Sequence, residues 1–146
     1  MTTTGSSVPH AARLGVAALG LTLFAAAMWF AWLGWDHEYY EVDGVAQGPY
    51  RAWQVLGCGL SIAVGAVLAQ LWVRSPWGVL ALAPAGILGF AVPWTADAAA
   101  SDDSGLFIVG LFLLVVGGGI ALVTLLGVTA LIQHNIRRDS QASSSA

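Results

Sequence analysis

The residues best equipped for chemistry lie close together between Trp35 and Arg51: Asp36, His37, Glu38, Tyr39, Tyr40, Glu41 and Asp43. Carboxylates beside an imidazole are the side chains that ligate divalent cations or pass protons as acid and base. Their spacing matches neither the paired Cys/His ligands of a zinc site nor the alternating oxygens of a calcium loop. The segment is therefore expected to be a solvated acidic and aromatic loop, a contact surface for a partner, with no metal. A second acidic group, Asp97, Asp102 and Asp103, comes later in the chain, and a membrane enzyme using both groups of acids is the catalytic alternative. The lone cysteine, Cys58, has no partner for an internal disulfide and reads as a small packing group.

The elements that must position these residues are four apolar stretches without a single charged residue: Leu14–Trp35, Ala52–Val73, Trp77–Trp94 and Leu106–Ile132. A hydrocarbon core about 30 Å thick takes about 20 helical residues to cross, so each is a candidate transmembrane helix. Composition agrees: with 58% hydrophobic and 9% charged residues, a water-soluble globule would lack polar side chains for its surface. The predicted fold class is an all-α membrane protein, a four-helix up-down bundle over residues 14–136. Residues 1–13 and 137–146, rich in Ser, Thr and Ala, are expected to be disordered cytoplasmic tails.

Several function classes are disfavoured. Five arginines, no lysine and a formal charge of −3 make no basic surface for nucleic acid. The histidines, His10, His37 and His134, lie outside or at the edges of the spans, so no axial haem ligand sits within a helix. Carboxylates are missing from the spans as well, which argues against proton relays and ion-coupled transport. No cofactor and no enzymatic activity are expected.

Arginines near span ends collect on the cytoplasmic side. Arg13, Arg74, Arg137 and Arg138 would share one face of a four-span protein and Arg51 the other, which predicts both termini inside and the acidic loops outside. Trp32, Trp35, Tyr50, Trp53 and Trp94 would form the outer aromatic belt, with Trp72 and Trp77 at the inner boundary. A cleaved signal peptide is the rival reading of the first span, from Arg13, Leu14–Phe24 and Ala25-Ala26-Ala27. Continuation of the apolar run through Met28–Trp35 favours a retained span.

Helices in lipid associate through close backbone approach at small residues and through interhelical hydrogen bonds. Gly57, Ser61, Gly65 and Ala69 recur every four residues in the second span, so that face is expected to meet another helix. Weaker stripes are Ala18, Thr22 and Ala26 in the first span and Ala81, Ala85 and Gly89 in the third. Such stripes serve intramolecular packing or a homo-oligomer seam, and both readings stay open. Gln54 and Gln70 are expected to bond across helices or to headgroups. Pro84 predicts a kink in the third span, and Gly117-Gly118-Gly119 a smooth, flexible patch in the fourth. In the first loop, Asp43-Gly44 between Tyr39–Val42 and Val45–Gln47 signals a tight hairpin, a small ribbon capping the bundle.

Around Gly48-Pro49-Tyr50-Arg51-Ala52-Trp53-Gln54-Val55-Leu56-Gly57-Cys58 the chain resembles small four-helix integral membrane proteins of high-GC actinobacteria. The resemblance implies a plasma-membrane location and carries over no activity, cofactor or functional residue. The resulting expectation is a polytopic, non-enzymatic structural or interaction component of a bacterial cell envelope, whose partners are the bilayer and a membrane or envelope protein. The alternative is a small transporter or channel subunit acting as an oligomer.

Overall fold

Backbone amides have no water to bond in hydrocarbon, so a long apolar segment satisfies them internally as a helix. A computed structural model, which describes residues 9–36, 40–48, 50–101 and 105–144, shows that outcome in all four apolar stretches. Helix α1 is His10–Trp32, α2 is Ala52–Val73 and α3 is Gly78–Ser101. The fourth span begins as α4, Phe107–Leu113, widens into a π turn over Leu114–Gly118, and continues as α5, Gly119–Ser144. Each of the four is long and apolar enough to cross a membrane.

The boundaries correct the sequence reading in three places. Helix α1 starts at His10 and ends at Trp32, so Arg13 lies in its first turns; Leu33 and Gly34 both donate N–H bonds to the Trp29 carbonyl and close the end. Helix α3 continues past Trp94 to Ser101, because Ala96, Ala98, Ala99 and Ala100 are strong helix formers whatever their hydropathy, and it passes through Pro84 and Pro93. Residues 137–144, expected to be disordered, are helical. Once α5 is nucleated, each further residue adds a backbone bond at little cost, and neither Gly nor Pro interrupts Arg137–Ser144. The N-terminal tail before Pro9 lies outside the described residues.

The ribbon expected to cap the bundle is not supported as an element of the fold. Tyr40–Val42 and Val45–Gln47 pair antiparallel around Asp43 and Gly44, whose φ angles are 52° and 77°, but neither segment packs against a helix. An isolated two-stranded pairing this short is at best marginally stable by itself, so it remains local.

Helix α1 packs on α2 and α3, α5 packs on the same two, and α1 and α5 do not meet among the described residues. The order around the bundle is therefore α1, α2, α5, α3. Arg13 donates to the Trp72 carbonyl (3.1 Å) and Arg137 to the Arg74 carbonyl (3.2 Å), which places the start of α1, the α2–α3 turn and the far part of α5 at one end. Gln54 reaches Asp36 and Tyr50 reaches Asp97 at the other. Consecutive spans are thus antiparallel, with an arginine end and a carboxylate end.

The core follows the helical period. Ala17, Leu21, Ala25 and Trp29 form one buried stripe of α1, with Leu33 just beyond; Gln54, Cys58, Ile62, Ala66 and Gln70 form that of α2. The closest backbone approach joins α1 to α3. A methyl built on Gly89 would strike the Thr22 carbonyl oxygen and lie 2.9 Å from the Ala25 methyl. Thr22 Oγ1 seals this seam by donating toward the Ala18 carbonyl (3.0 Å) and the Ala85 carbonyl of α3 (3.2 Å). Gly57 and Gly65 of α2 lie beneath the rings of Trp32 and Phe24 of α1. Ser61 and Ala69, on the same half-buried face, add little polarity, since Ser61 Oγ bonds back to the Gly57 carbonyl at 2.8 Å.

Candidate functional site

The two side chain–side chain hydrogen bonds described, Gln54 with Asp36 and Tyr50 with Asp97, lie at the carboxylate end, where α2 begins. Gln54 is fully buried there, and both ends of its amide are engaged. Its Nε2 donates to Asp36 Oδ2 at 3.0 Å, and its Oε1 accepts the Arg51 backbone N–H at 2.7 Å. The second bond is the N3-to-N-cap half of a capping box, satisfying a donor that the helix itself cannot. The reciprocal half needs an acceptor on the N-cap side chain, which arginine lacks. On the other side of the helix start, Tyr50 Oη donates to Asp97 Oδ2 at 3.0 Å. Two latches therefore tie the start of α2 to the segment leaving α1 and to the last turns of α3.

An aromatic layer lies directly beneath. Trp32 and Trp53 meet edge to face with centroids 6.1 Å apart, while Trp29 and Trp94 pack with Phe90 around Cys58 and Ile62. Rings that combine an apolar body with one polar edge suit the boundary between hydrocarbon and water.

Of the residues singled out in the loop, Asp36 is half-buried and bonded to Gln54, while Glu41 and Asp43 are exposed on the short ladder. Tyr40 enters the ladder opposite Gln47; His37, Glu38 and Tyr39 lie outside the described residues, as do Asp102 and Asp103. Among the described residues no three His, Cys, Asp or Glu side chains converge as metal ligands. The two half-buried carboxylates each accept from a neutral donor, Asp36 from an amide and Asp97 from a phenol. This chemistry fixes chain segments in place.

Sequence reasoning missed these latches. Asp97 lies beyond the apolar run and Tyr50 reads as a belt residue, so only the folded bundle brings them together. Gln70 likewise differs from expectation. Its Nε2 donates to the Ser75 carbonyl at 2.8 Å, closing the α2–α3 turn instead of crossing to another helix or meeting a headgroup.

A second feature lies between α2, α3 and the fourth span. The π turn, built where Gly117-Gly118 removes side-chain constraints, borders a cavity of about 270 Å3 whose walls include Cys58, Ile62, Gly86, Phe90, Gly118 and Leu122. Apart from the thiol its lining is apolar, so it offers no orienting polar groups.

No protein-family model matches the chain, and no curated protein or solved structure is significantly similar to it.

Proposed function

We propose that this chain is a multi-pass protein of a bacterial cytoplasmic membrane that has no enzymatic activity of its own and serves as a structural or interaction component of the envelope. The loop from Asp36 to Tyr50 is its partner-contact surface. The observation carrying this reading is the pair of latches: Gln54 with Asp36 and Tyr50 with Asp97 anchor the loop at its base, while Glu41 and Asp43 stand clear of every described helix. Anchored bases and exposed acidic tips suit recognition of a basic or polar partner surface.

Orientation follows from charge. Arg13, Arg74 and Arg137 gather at one end, and the positive-inside rule makes that end cytoplasmic. Transport by an oligomer draws less support, because Gln54, Ser61 and Gln70 each donate to a local acceptor, on Asp36, Gly57 and Ser75, and together do not form a file along one helix face.

Single-cysteine labelling in intact cells tests the arrangement. In a Cys58→Ala background, Glu41→Cys is expected to react with a membrane-impermeant maleimide and Ser140→Cys only after lysis. The reverse pattern would refute the orientation. Charge reversal at Glu41 and Asp43 is then expected to release a partner cross-linked in native membranes while the protein level stays constant; a complex that survives the reversal removes the loop from the interface. Turnover or flux by the purified chain in liposomes would overturn the non-enzymatic reading.

A further inference from the structure

The arginine end holds a cavity that the carboxylate end does not explain. The α2–α3 turn and α5 line a half-open cavity of about 480 Å3, within the range of about 300–1,000 Å3 usual for small-molecule sites. Arg74, Gln133, His134 and Arg137 form its polar rim. Val79, Gly127, Ala130 and Leu131 form the wall toward the middle of the bundle, and among the described residues no carboxylate lines it.

The space has a local cause. Gly127 and Ala130 put almost no side chain on this face of α5, and a methyl built on Gly127 would meet nothing within 4 Å. The rim is positioned as well. Arg74 caps α2 in a left-handed conformation (φ 55°, ψ 35°), and Arg137 is laid over the turn by its bond to the Arg74 carbonyl, which occupies one of the five donors on its guanidinium.

We propose that this cavity seats one anionic phospholipid, with its phosphate between Arg74 and Arg137 and the first methylenes of an acyl chain against Gly127, Ala130 and Leu131. Both halves of the lining are needed for that assignment. Inorganic phosphate would use the rim and leave the apolar wall in contact with water; a zwitterionic lipid would use the wall and gain little from two unopposed guanidinium groups. Basic pockets between helices at the cytoplasmic face, where anionic lipids concentrate, suit a ligand with both parts. The inference rests on the membrane reading above and is independent of what the acidic loop contacts.

The test uses the full chain in neutral detergent micelles, titrated with phosphatidylglycerol or phosphatidylcholine, with bound lipids counted by native mass spectrometry. One phosphatidylglycerol is expected to be retained with at least about ten-fold preference, and millimolar inorganic phosphate should not displace it. Arg74→Gln combined with Arg137→Gln is expected to weaken retention about 25-fold, about five-fold for each charge lost near an anionic surface. Arg138→Gln, a neighbouring charge outside the lining, should change it less than about two-fold. Gly127→Leu starts from a Cβ position with nothing within 4 Å and covers the apolar wall where the acyl methylenes would lie, so it should weaken retention at least about ten-fold while the thermal unfolding curve holds. Equal retention of phosphatidylcholine, or an unchanged double arginine variant, would overturn the proposal. Displacement by phosphate together with an indifferent Gly127→Leu variant would reduce the cavity to an anion site and also overturn it. If the double variant fails to fold, Gly127→Leu decides. Recovery of the chain from cells without detergent would instead sink the membrane reading itself.

Discussion

Gly89 in α3 and the pair Gly117 and Gly119 of the fourth span are the same residue and do opposite work. At Gly89 the missing side chain lets two backbones come so near that the Thr22 carbonyl fills the place of a Cβ. At Gly117 and Gly119 nothing lies within 4 Å of that place, Gly118 between them meets only the tip of the Ile87 side chain, and the adjoining turn widens to a π helix. The first three helices are held by such close seams. Among its described residues the fourth span buries Leu122 and Leu126 alone and exposes Ile108, Phe112, Ile120 and Val128. In lipid an exposed apolar side chain carries no penalty, so a loosely attached span is stable where a soluble protein would have to cover it.

That contrast can be broken by one substitution made in two places. Gly89→Ala should lose about 2–3 kcal/mol, because its methyl meets main-chain atoms that cannot rotate away and α1 must move off α3. Unfolding in mixed micelles followed by tryptophan fluorescence would show it; a neutral result would mean that the seam is looser than described. Leu126→Ala, truncating one of the two buried anchors of the fourth span, should lose about 1–2 kcal/mol, less than in a soluble core because lipid replaces water in the reference state. Its effect should appear as faster proteolysis of α5 before the other helices open. Gly119→Ala should have the opposite sign to Gly89→Ala, a gain of up to about 0.8 kcal/mol from helix propensity alone. Thr22→Val should lose about 0.6 kcal/mol, the usual worth of an interhelical hydrogen bond in a membrane. A loss much above that would place the Thr22 hydroxyl, not Gly89, at the centre of the seam.

Much of this was legible along the chain. Four charge-free runs gave four helices, and the Ala52–Val73 boundaries coincide with α2. The ends were harder. Hydropathy falls at Trp94 and Ile132, but the alanines of residues 96–100 and the Arg/Gln/Ser stretch after Ile132 keep helical geometry, so polarity marked the end of the apolar run and not the end of the helix. Gln54 and Gln70 showed the limit most plainly. They are similar polar residues near opposite ends of one helix, yet one bonds the chain leaving α1 and the other closes its own turn. A one-dimensional pattern records that a buried amide needs partners; it does not record which carbonyl or carboxylate the turn will bring within 3 Å.

The acidic loop shows the same division. Asp43-Gly44 favours a reversal because both positions take positive φ, and the short ladder follows from that local preference. Whether the ladder rests on the bundle is decided by packing, and it does not.

Sequence alone determined the number of helices, their apolar character and the gathering of arginines beside particular span ends, because these depend on side-chain transfer energies and on charge near each helix, which act locally. Tertiary structure decided that α1 stands diagonally across from α5, that Asp36 and Asp97 are reached by Gln54 and Tyr50, and that Arg74 and Arg137 share a cavity with Gly127. Those outcomes depend on which small residues face each other at close range, and that complementarity belongs to pairs of helices and to neither one alone.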